Sequence, residues 1–370
     1  MHWTLHLNGA PRRVEHAAVA LGDKIYFIGG YCETEVDFKK PIVVNLLNTR
    51  TYRWSILPTT NERELISETP YLLRGHSAAV YGDKIYVWGG RNYAAECDVL
   101  LCFDSVTLKW SRPKVTGSIP DARYGHTACV IDNCMYIFGG EHSSRPVQSN
   151  DVHCLDLLSM NWKRVYTNGD PPPCLSFSAV QAVGKRMYIF GGVCVGSTPT
   201  NYYPDIVYLD TSTRRWHKPI ASGSKPPVRG KPSAFVHNGY FYVFGGYNAR
   251  SGEHFNDIHR FHLEKNEWKI VKPLGELPKA RHRHSSLLVG EKVFVFGGTS
   301  CFPFSSVSTG LTAMVLFHRN DVHVLDLSPS LRTLCLQVVI KHKLDTNILP
   351  QDLKRELFLI SPEKSVVIYV

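Results

Sequence analysis

The chain has 370 residues, 44% of them hydrophobic, so it can bury a large core in one to three domains. It has no run of eighteen apolar residues, which excludes a membrane-spanning helix, and its first residues lack the pattern of a signal peptide. The ten cysteines are therefore expected to remain thiols, and without a CxxC pair they predict no metal or other cofactor. The net charge of +10 fits either nucleic-acid binding or a basic pocket for an anionic peptide group.

A short apolar run followed by Gly-Gly recurs six times along the chain. The copies lie at 26–30, 86–90, 136–140, 188–192, 242–246 and 294–298. Their spacings of 60, 50, 52, 54 and 52 residues are too long for helical repeats and suit a blade of four strands. We expect the glycines to let the backbone bend and neighbouring blades approach closely.

Each repeat predicts strands a to d in order. Strand a is a small-residue run, a tight turn leads into the apolar strand b, and strand c alternates polar and apolar residues, as in 151–156. Strand d carries a tryptophan at a matching offset in five repeats: Trp54, Trp110, Trp162, Trp216 and Trp268. The gap from Trp54 to Gly89 is 35 residues where 29 is usual, and the surplus in Thr59–Glu64 predicts a surface insertion.

This pattern resembles kelch repeats over residues 1–328. The resemblance implies an all-β fold, a six-bladed kelch β-propeller around a central channel, followed by a short C-terminal helical segment. Blade six lacks a tryptophan after strand c, but Trp3 precedes Gly29 by 26 residues, so we expect the N-terminal strand to complete blade six. The alternative is a five-bladed ring with one degenerate unit.

After blade six the apolar period changes from 2 to 3.6. Ser328-Pro329 is a helix-start signal. Five apolar residues then form one stripe, namely Leu331, Leu334, Cys335, Val338 and Val339. Pro350 opens a second predicted helix with Leu349, Leu353, Leu357 and Ile360 on one face. Residues 329–360 are thus predicted to be helical, 361–370 receive no structural prediction, and packing of both helices on the propeller wall is the open alternative.

The first stripe resembles a BC box, LxxxCxxxΦ, by which substrate receptors bind elongin C. Leu331, Cys335 and Val339 stand at its defining positions, with Leu334 and Val338 beside them. Leu349, Pro350 and Leu353 resemble a cullin-2 box, and Asp352 stands where a cullin-5 box has proline. The resemblance implies a non-catalytic substrate receptor of a cullin-2 ubiquitin ligase, in the cytoplasm and nucleus. Its partners would be elongin B, elongin C, and cullin-2 with its RING subunit.

Arginines recur three residues before strand a. They are Arg13, Arg123, Arg229 and Arg281, with Arg74 one place later in blade two and Leu175 in blade four. Arg91 and Arg250 follow Gly pairs on the same rim. A near-ring of guanidinium groups favours a shared anion pocket, although each arginine could instead pair with a blade carboxylate. The resemblance implies that the ligand is the C-terminal carboxylate of target proteins, typically after glycine.

Histidines begin strand a in four blades, at His16, His76, His126 and His284, whereas blades four and five have Phe177 or Ser178 and Pro232. Because they recur with the repeat, we interpret them as packing residues and not as catalysts. An enzyme is the first alternative, but no catalytic constellation stands apart from the repeat. A kelch chromatin or nuclear scaffold without a ligase role is the second, because of the basic charge.

Overall fold

A computed structural model describes residues 1–32, 42–57, 73–92, 96–142, 150–194, 196, 200–305, 312–360 and 367–369. Six antiparallel sheets follow one another along the chain, and strand a of each contacts strand a of both neighbours, so that the sheets close into a ring. The six-bladed β-propeller predicted from the repeat is confirmed. The insertion predicted at Thr59–Glu64 lies outside the described residues.

The first three blades each consist of four strands, a to d. Blade one has strands Ala17–Leu21, Lys24–Ile28, Val44–Asn48 and Arg53–Ile56. Blade two has Ser77–Tyr81, Lys84–Trp88, Leu100–Asp104 and Lys109–Ser111. Blade three has Thr127–Ile131, Cys134–Phe138, Val152–Asp156 and Asn161–Val165.

The last three blades repeat this order, but blade six takes its fourth strand from the chain's beginning. Blade four has Ala179–Val183, Arg186–Phe190, Ile206–Asp210 and Arg215–His217. Blade five has Ser233–His237, Tyr240–Phe244, Ile258–His262 and Glu267–Val271. Blade six has Ser285–Val289, Lys292–Phe296, Asp321–Asp326 and His2–Asn8.

The tryptophans hold neighbouring blades together. The aromatic residue before a Gly pair packs on the strand-d tryptophan of the next blade, with ring centroids 5.2–5.9 Å apart in four pairs: Trp88–Trp162, Phe138–Trp216, Phe190–Trp268 and Phe244–Trp3. Such tilted contacts between buried rings stabilise the packing beyond their area alone. Trp3 therefore packs on the aromatic residue of the preceding blade as the other three tryptophans do, and this contact confirms closure by the N-terminal strand.

The Gly pairs allow the close approach that the sequence predicts. At Gly139, where φ is 71°, an added Cβ would lie 2.2 Å from the carbonyl oxygen of Leu175 in the next blade. In all six blades the amide of the second glycine donates to a carbonyl of the next blade, four residues before its strand a, over 2.8–3.3 Å. A side chain at Gly139 would therefore force adjacent blades apart.

Short strands also surround the main sheets. Segments Thr116–Gly117, Asn168–Gly169 and Ser222–Gly223 run parallel to strand d of the following blade. Three strands form a small sheet above blade four: Leu175–Ser176, Val193–Cys194 and Asn201–Tyr202. Two hairpins extend blades five and six: Tyr247–Asn248 with Glu253–His254, and Thr299–Ser305 with Thr312–His318.

Two helices follow the propeller. Helix α1 spans Leu331–Lys341 and helix α2 spans Gln351–Ile360. The N-cap of α1 is Ser330, whose side chain accepts from the Thr333 amide, so the predicted start at Ser328-Pro329 is corrected by two residues. Ser328 instead closes a turn, its amide donating to Asp326. Among the described residues, no helix is long and apolar enough to cross a membrane.

The last described residues, Val367–Tyr369, pair in parallel with Trp54–Ile56 of blade one. In blades three to five the linker from the preceding blade occupies this place. The linker into blade one is shorter, because Trp3 to Arg13 is 10 residues where Trp110 to Arg123 is 13. The C-terminal strand thus covers an edge of blade one that its linker does not reach.

Candidate binding site at the channel mouth

The arginines predicted three residues before strand a lie four residues before it, because strand a begins one residue later than predicted, and their side chains are buried. Arg13, Arg123, Arg229 and Arg281 are 8%, 2%, 0% and 0% exposed. Arg229 makes two bonds to Asp257, of 2.5 and 2.9 Å, and Arg281 makes two to Asp321, of 2.7 and 3.0 Å. Both also donate to the carbonyl of a Gly-pair glycine across the blade. Bidentate pairs of this kind leave a guanidinium little capacity for a ligand.

The prediction that these arginines bind a substrate carboxylate is therefore corrected for Arg123, Arg229 and Arg281. Arg123 donates to Asp151 at 2.9 Å and also to the Gly139 carbonyl. Burial raises the pKa of the Asp257 carboxyl, but the hydrogen bonds from Arg229 and His259 outweigh burial and hold that pKa well below its usual range. Asp257 stays ionised at neutral pH, and the pair is a structural part of its blade. Arg13 is buried in the same position of blade one.

A signal in the sequence could have revealed this pairing. Strand c begins with Asp-x-His only where an arginine precedes strand a: Asp151-Val152-His153, Asp257-Ile258-His259 and Asp321-Val322-His323. In each blade the histidine ring lies beside the carboxylate, with N–O distances of 3.4, 2.9 and 3.3 Å. Blade four, which has Leu175 in place of the arginine, has Val207 in place of the histidine.

A second ring of residues surrounds the channel itself. One residue from each blade adopts a positive φ of 54–67°: Glu15, Gly75, Gly125, Phe177, Lys231 and Arg283. In five blades the amide of this residue donates to the carbonyl of the matching residue in the preceding blade, over 2.6–3.3 Å. The first of these bonds joins Gly75 to Glu15, and the last joins Arg283 to Lys231. This backbone ring fixes the width of the channel and places two basic side chains at its mouth.

Lys231 and Arg283 share one acidic partner. Glu15 Oε1 lies 3.0 Å from Arg283 Nε and 3.6 Å from Lys231 Nζ. Burial raises the pKa of the Glu15 carboxyl, but the charges of Arg283 and Lys231 outweigh burial and hold it below its usual range. Burial and Arg283 lower the pKa of Lys231 to about 8, against the opposing effect of Glu15. Two cations and one anion leave this group with a formal charge of +1.

A cavity of about 180 Å³ opens between these residues, and it is lined by the four histidines that directly precede strand a. Burial lowers the pKa of His16 to about 4 and of His76 and His126 to about 3, and that of His284 falls well below its usual range. The histidines are neutral at pH 7, so among the residues that line this cavity the positive charge comes from Lys231 and Arg283. Three histidines donate to or accept from a serine of the preceding blade, as His126 does with Ser77 at 2.8 Å.

The three remaining predicted arginines do not line this cavity. Arg91 lies over the Tyr124 ring, 4.2 Å from its centroid, and Arg74 lies over Tyr31 at 5.4 Å. Arg250 is exposed and donates from Nε to the Thr200 carbonyl at 2.7 Å. These three arginines remain predicted binding residues, whereas Lys231 and Arg283, which line the cavity, were missed by sequence reasoning.

The predicted adaptor residues lie on α1 and α2, away from the channel mouth. Leu331 is 76% exposed and Val338 50% exposed, Cys335 is exposed, and Leu334 and Val339 are half-buried. The buried residue of α1 is Leu336, and Gln337 donates to the Thr4 carbonyl of the N-terminal strand. Leu349 and Pro350 directly precede α2, and Leu353 lies in its first turn. Pro350 is exposed, whereas Leu349 and Leu353 are half-buried. Arg332 joins the helices through ion pairs to Asp352 and Glu356.

The chain belongs to the kelch-repeat family of β-propellers. Residues 75–298 match the KLHDC2/KLHL20/DRC7 Kelch-repeats domain, and residues 12–60 match the Kelch motif. Kelch domain-containing protein 3 of Rattus norvegicus is 40% identical to it over 380 residues, covering 99% of this chain and 97% of the relative. The Homo sapiens protein of the same name is 39% identical over 376 residues, with the same coverage. Kelch domain-containing protein 2 of Bos taurus is 26% identical over 257 residues, 60% of this chain and 62% of the relative.

These similarities extend through the helices as well as the blades, because the Kelch domain-containing protein 3 sequences align with nearly the whole chain. Together with the fold they make the chain a kelch protein with a protein-binding role. The mouth of the channel and the exposed face of α1 are its two candidate binding surfaces.

Proposed function

We propose that the chain is the substrate-recognition subunit of a cullin-2–elongin B/C ubiquitin ligase. The channel mouth captures the C-terminal tail of a target protein, and the helical segment binds elongin C and cullin-2 with its RING subunit. The chain itself performs no chemistry; it brings a target to the ligase. Residence in the cytoplasm and the nucleus belongs to the same proposal.

One observation carries this proposal, the exposure of the apolar face of α1. Leu331, Cys335 and Val338 point into solvent, and Leu336 is the side chain that anchors the helix to the propeller. An exposed apolar row on a helix is typical of a surface that another protein covers. Had the helices been packed against the propeller wall by this face, no apolar surface would remain for elongin C.

For α2, the proposal uses the residues around its start. Pro350 is exposed, Leu349 and Leu353 are half-buried, and Phe358 is 49% exposed. The ion pairs of Arg332 with Asp352 and Glu356 hold α2 against α1, so that both helices can present one continuous surface. Elongin C and cullin-2 would then contact adjacent parts of the same segment.

The substrate side of the proposal depends on Lys231 and Arg283. Their side chains are 18% and 29% exposed, so a ligand can reach them although they are largely desolvated. A carboxylate at the mouth would pair with both cations in a partly buried setting, where charge-assisted hydrogen bonds are strong. A terminal glycine has no side chain to keep its carboxylate away from the narrow channel.

The proposal is tested by co-expression with elongins B and C and purification on a tag carried by the elongins. We expect the wild-type chain to co-purify and the variants Leu331→Ser and Cys335→Phe to be lost. Ile220→Ser is the matched control, because Ile220 is 95% exposed on the propeller, away from α1. Retention of both α1 variants at the wild-type level would rule out the adaptor role.

A further inference from the structure

In blades three, five and six, the arginine before strand a, the aspartate and the histidine described above form an Arg–Asp–His triad. These three triads differ in one respect. In blade three the residue opposite the triad histidine on strand d is Arg164, and in blade five it is Ile270. In blade six, whose strand d comes from the N-terminus, a second histidine, His6, stands opposite His323. The two rings stack with centroids 4.2 Å apart and planes 12° apart.

This second histidine places three metal-ligating groups together. His6 Nε2 lies 3.9 Å and His323 Nε2 3.3 Å from the same oxygen, Oδ2 of Asp321. One ligand atom from each of the three residues lies within 4.8 Å of the other two. The ligands of a tetrahedral zinc ion lie about 2.0–2.2 Å from the metal and so about 3.4 Å from one another. For both imidazole nitrogens to face one ion, the His6 ring has to turn out of its stacked orientation on His323.

The environment of each ligand suits this arrangement. His6 Nε2 is buried and has no hydrogen-bond partner among the described residues, so its lone pair or proton is unused. The Asp321 carboxylate is oriented by Arg281, which donates to both of its oxygens. Outer contacts of this kind fix the geometry of ligating carboxylates. The side chains of Asp321 and His323 are 7% and 4% exposed and that of His6 is 36% exposed, which leaves an entry path from solvent.

We propose that His6, Asp321 and His323 bind one divalent transition-metal ion of the zinc type. The ion replaces the proton between His323 and Asp321, and water completes its coordination. Two imidazoles and one carboxylate suit zinc, cobalt and nickel, whereas calcium and magnesium require more oxygen ligands than this site offers. Because Arg281 already neutralises Asp321, the imidazoles supply most of the selectivity.

Metal binding would also affect the ring closure. His6 belongs to the first strand of the chain, whereas Asp321 and His323 belong to strand c of the last blade. The ion joins the two ends of the propeller sequence, and it is bound only when they meet. A ligand that binds only the folded state raises the melting temperature.

The test uses the full chain, freed of metal with a chelator and titrated with Co²⁺ while its visible absorption is recorded. We expect one equivalent to bind, Zn²⁺ to displace it, and either ion to raise the melting temperature. His6→Gln should weaken Co²⁺ binding by about tenfold or more and abolish the thermal shift. His153→Gln, which removes the triad histidine of blade three, is the matched control and should change neither.

Three results would overturn the proposal. The first is the absence of a one-equivalent Co²⁺ signal in the wild-type chain. The second is equal binding by wild type and His6→Gln, with both proteins folded by circular dichroism. The third is a loss of binding in His153→Gln as large as in His6→Gln, which would assign the metal to scattered histidines.

Discussion

Lys231 and Arg283, which line the cavity at the channel mouth, differ from Arg229 and Arg281 in how their charges are paired. Glu15 serves both, whereas Arg229 and Arg281 each have an aspartate of their own. The same residue type therefore stabilises a blade at one position and remains available to a ligand at another. What separates the two roles is a carboxylate from a distant part of the chain.

This difference predicts the effect of charge removal at the mouth. Lys231→Gln and Arg283→Gln should each weaken binding of a peptide with a free C-terminal glycine by about tenfold or more, because a charge-assisted hydrogen bond contributes about 1.5–3 kcal/mol. The measurement is fluorescence anisotropy with free and amidated peptides, and the exposed Lys272→Gln is the control. Equal affinities for the free and amidated peptides would contradict carboxylate capture.

The channel histidines predict how stability depends on pH. Because burial lowers the pKa of His16 to about 4 and of His76 and His126 to about 3, the unfolded chain binds more protons than the folded chain below pH 6.5. Stability is thus fully present above pH 6.5 and falls between pH 6.5 and 4, by up to about 1.4 kcal/mol per pH unit for each histidine.

Urea unfolding at pH 7.5, 6.0 and 5.0 measures this slope. His76→Gln should reduce the slope by about one histidine's share. His342→Gln, at an exposed position, should leave it unchanged. A free energy of unfolding that stays constant from pH 7.5 to 5.0 would show that these histidines are not held neutral by the fold.

At the scale of elements, the two ends of the chain cover different edges. His2–Asn8 is a full strand of blade six and pairs with strand c over most of its length. Val367–Tyr369 covers three residues on the outer edge of blade one. The first carries buried core residues, Trp3, Leu5 and Leu7, whereas the second adds only edge pairing.

Deleting residues 1–8 should therefore lower the melting temperature of the whole propeller, because it opens the ring and exposes strand c of blade six. The loss of three buried side chains amounts to several kcal/mol at about 1.5–3 kcal/mol each. Differential scanning calorimetry measures the change, and deletion of residues 361–370 is the comparison, with a much smaller effect expected. An unchanged melting temperature after the N-terminal deletion would contradict closure by this strand.

At the scale of the whole molecule, the two candidate binding surfaces are separate. The mouth is formed by residues that precede strand a, at the centre of the ring, whereas α1 and α2 contact the N-terminal strand on the edge of blade six. A ring of closed sheets is rigid, so occupation of one surface is not expected to deform the other. A receptor needs this independence if it is to hold a target and its ligase together.

This arrangement predicts that elongin B/C binding leaves peptide affinity unchanged within about twofold, because no coupling free energy links the sites. The measurement is peptide anisotropy with the chain alone and with the purified elongin complex. A tenfold change in either direction would mean that the helices reach the mouth or that the propeller deforms.

The sequence by itself determined the repeat, the six blades and the closing strand. Gly pairs and tryptophans recur at fixed offsets, and they mark the same strands in successive repeats. It also determined two helices with apolar stripes, since a period of 3.6 is a local property of the chain, but their exposure was decided by the tertiary structure. Only the tertiary structure decided which arginines are paired, because Asp257 and Asp321 lie 28 and 40 residues from Arg229 and Arg281. The same holds for the basic mouth at Lys231 and Arg283 and for His6 beside His323, since each depends on blades meeting around the ring.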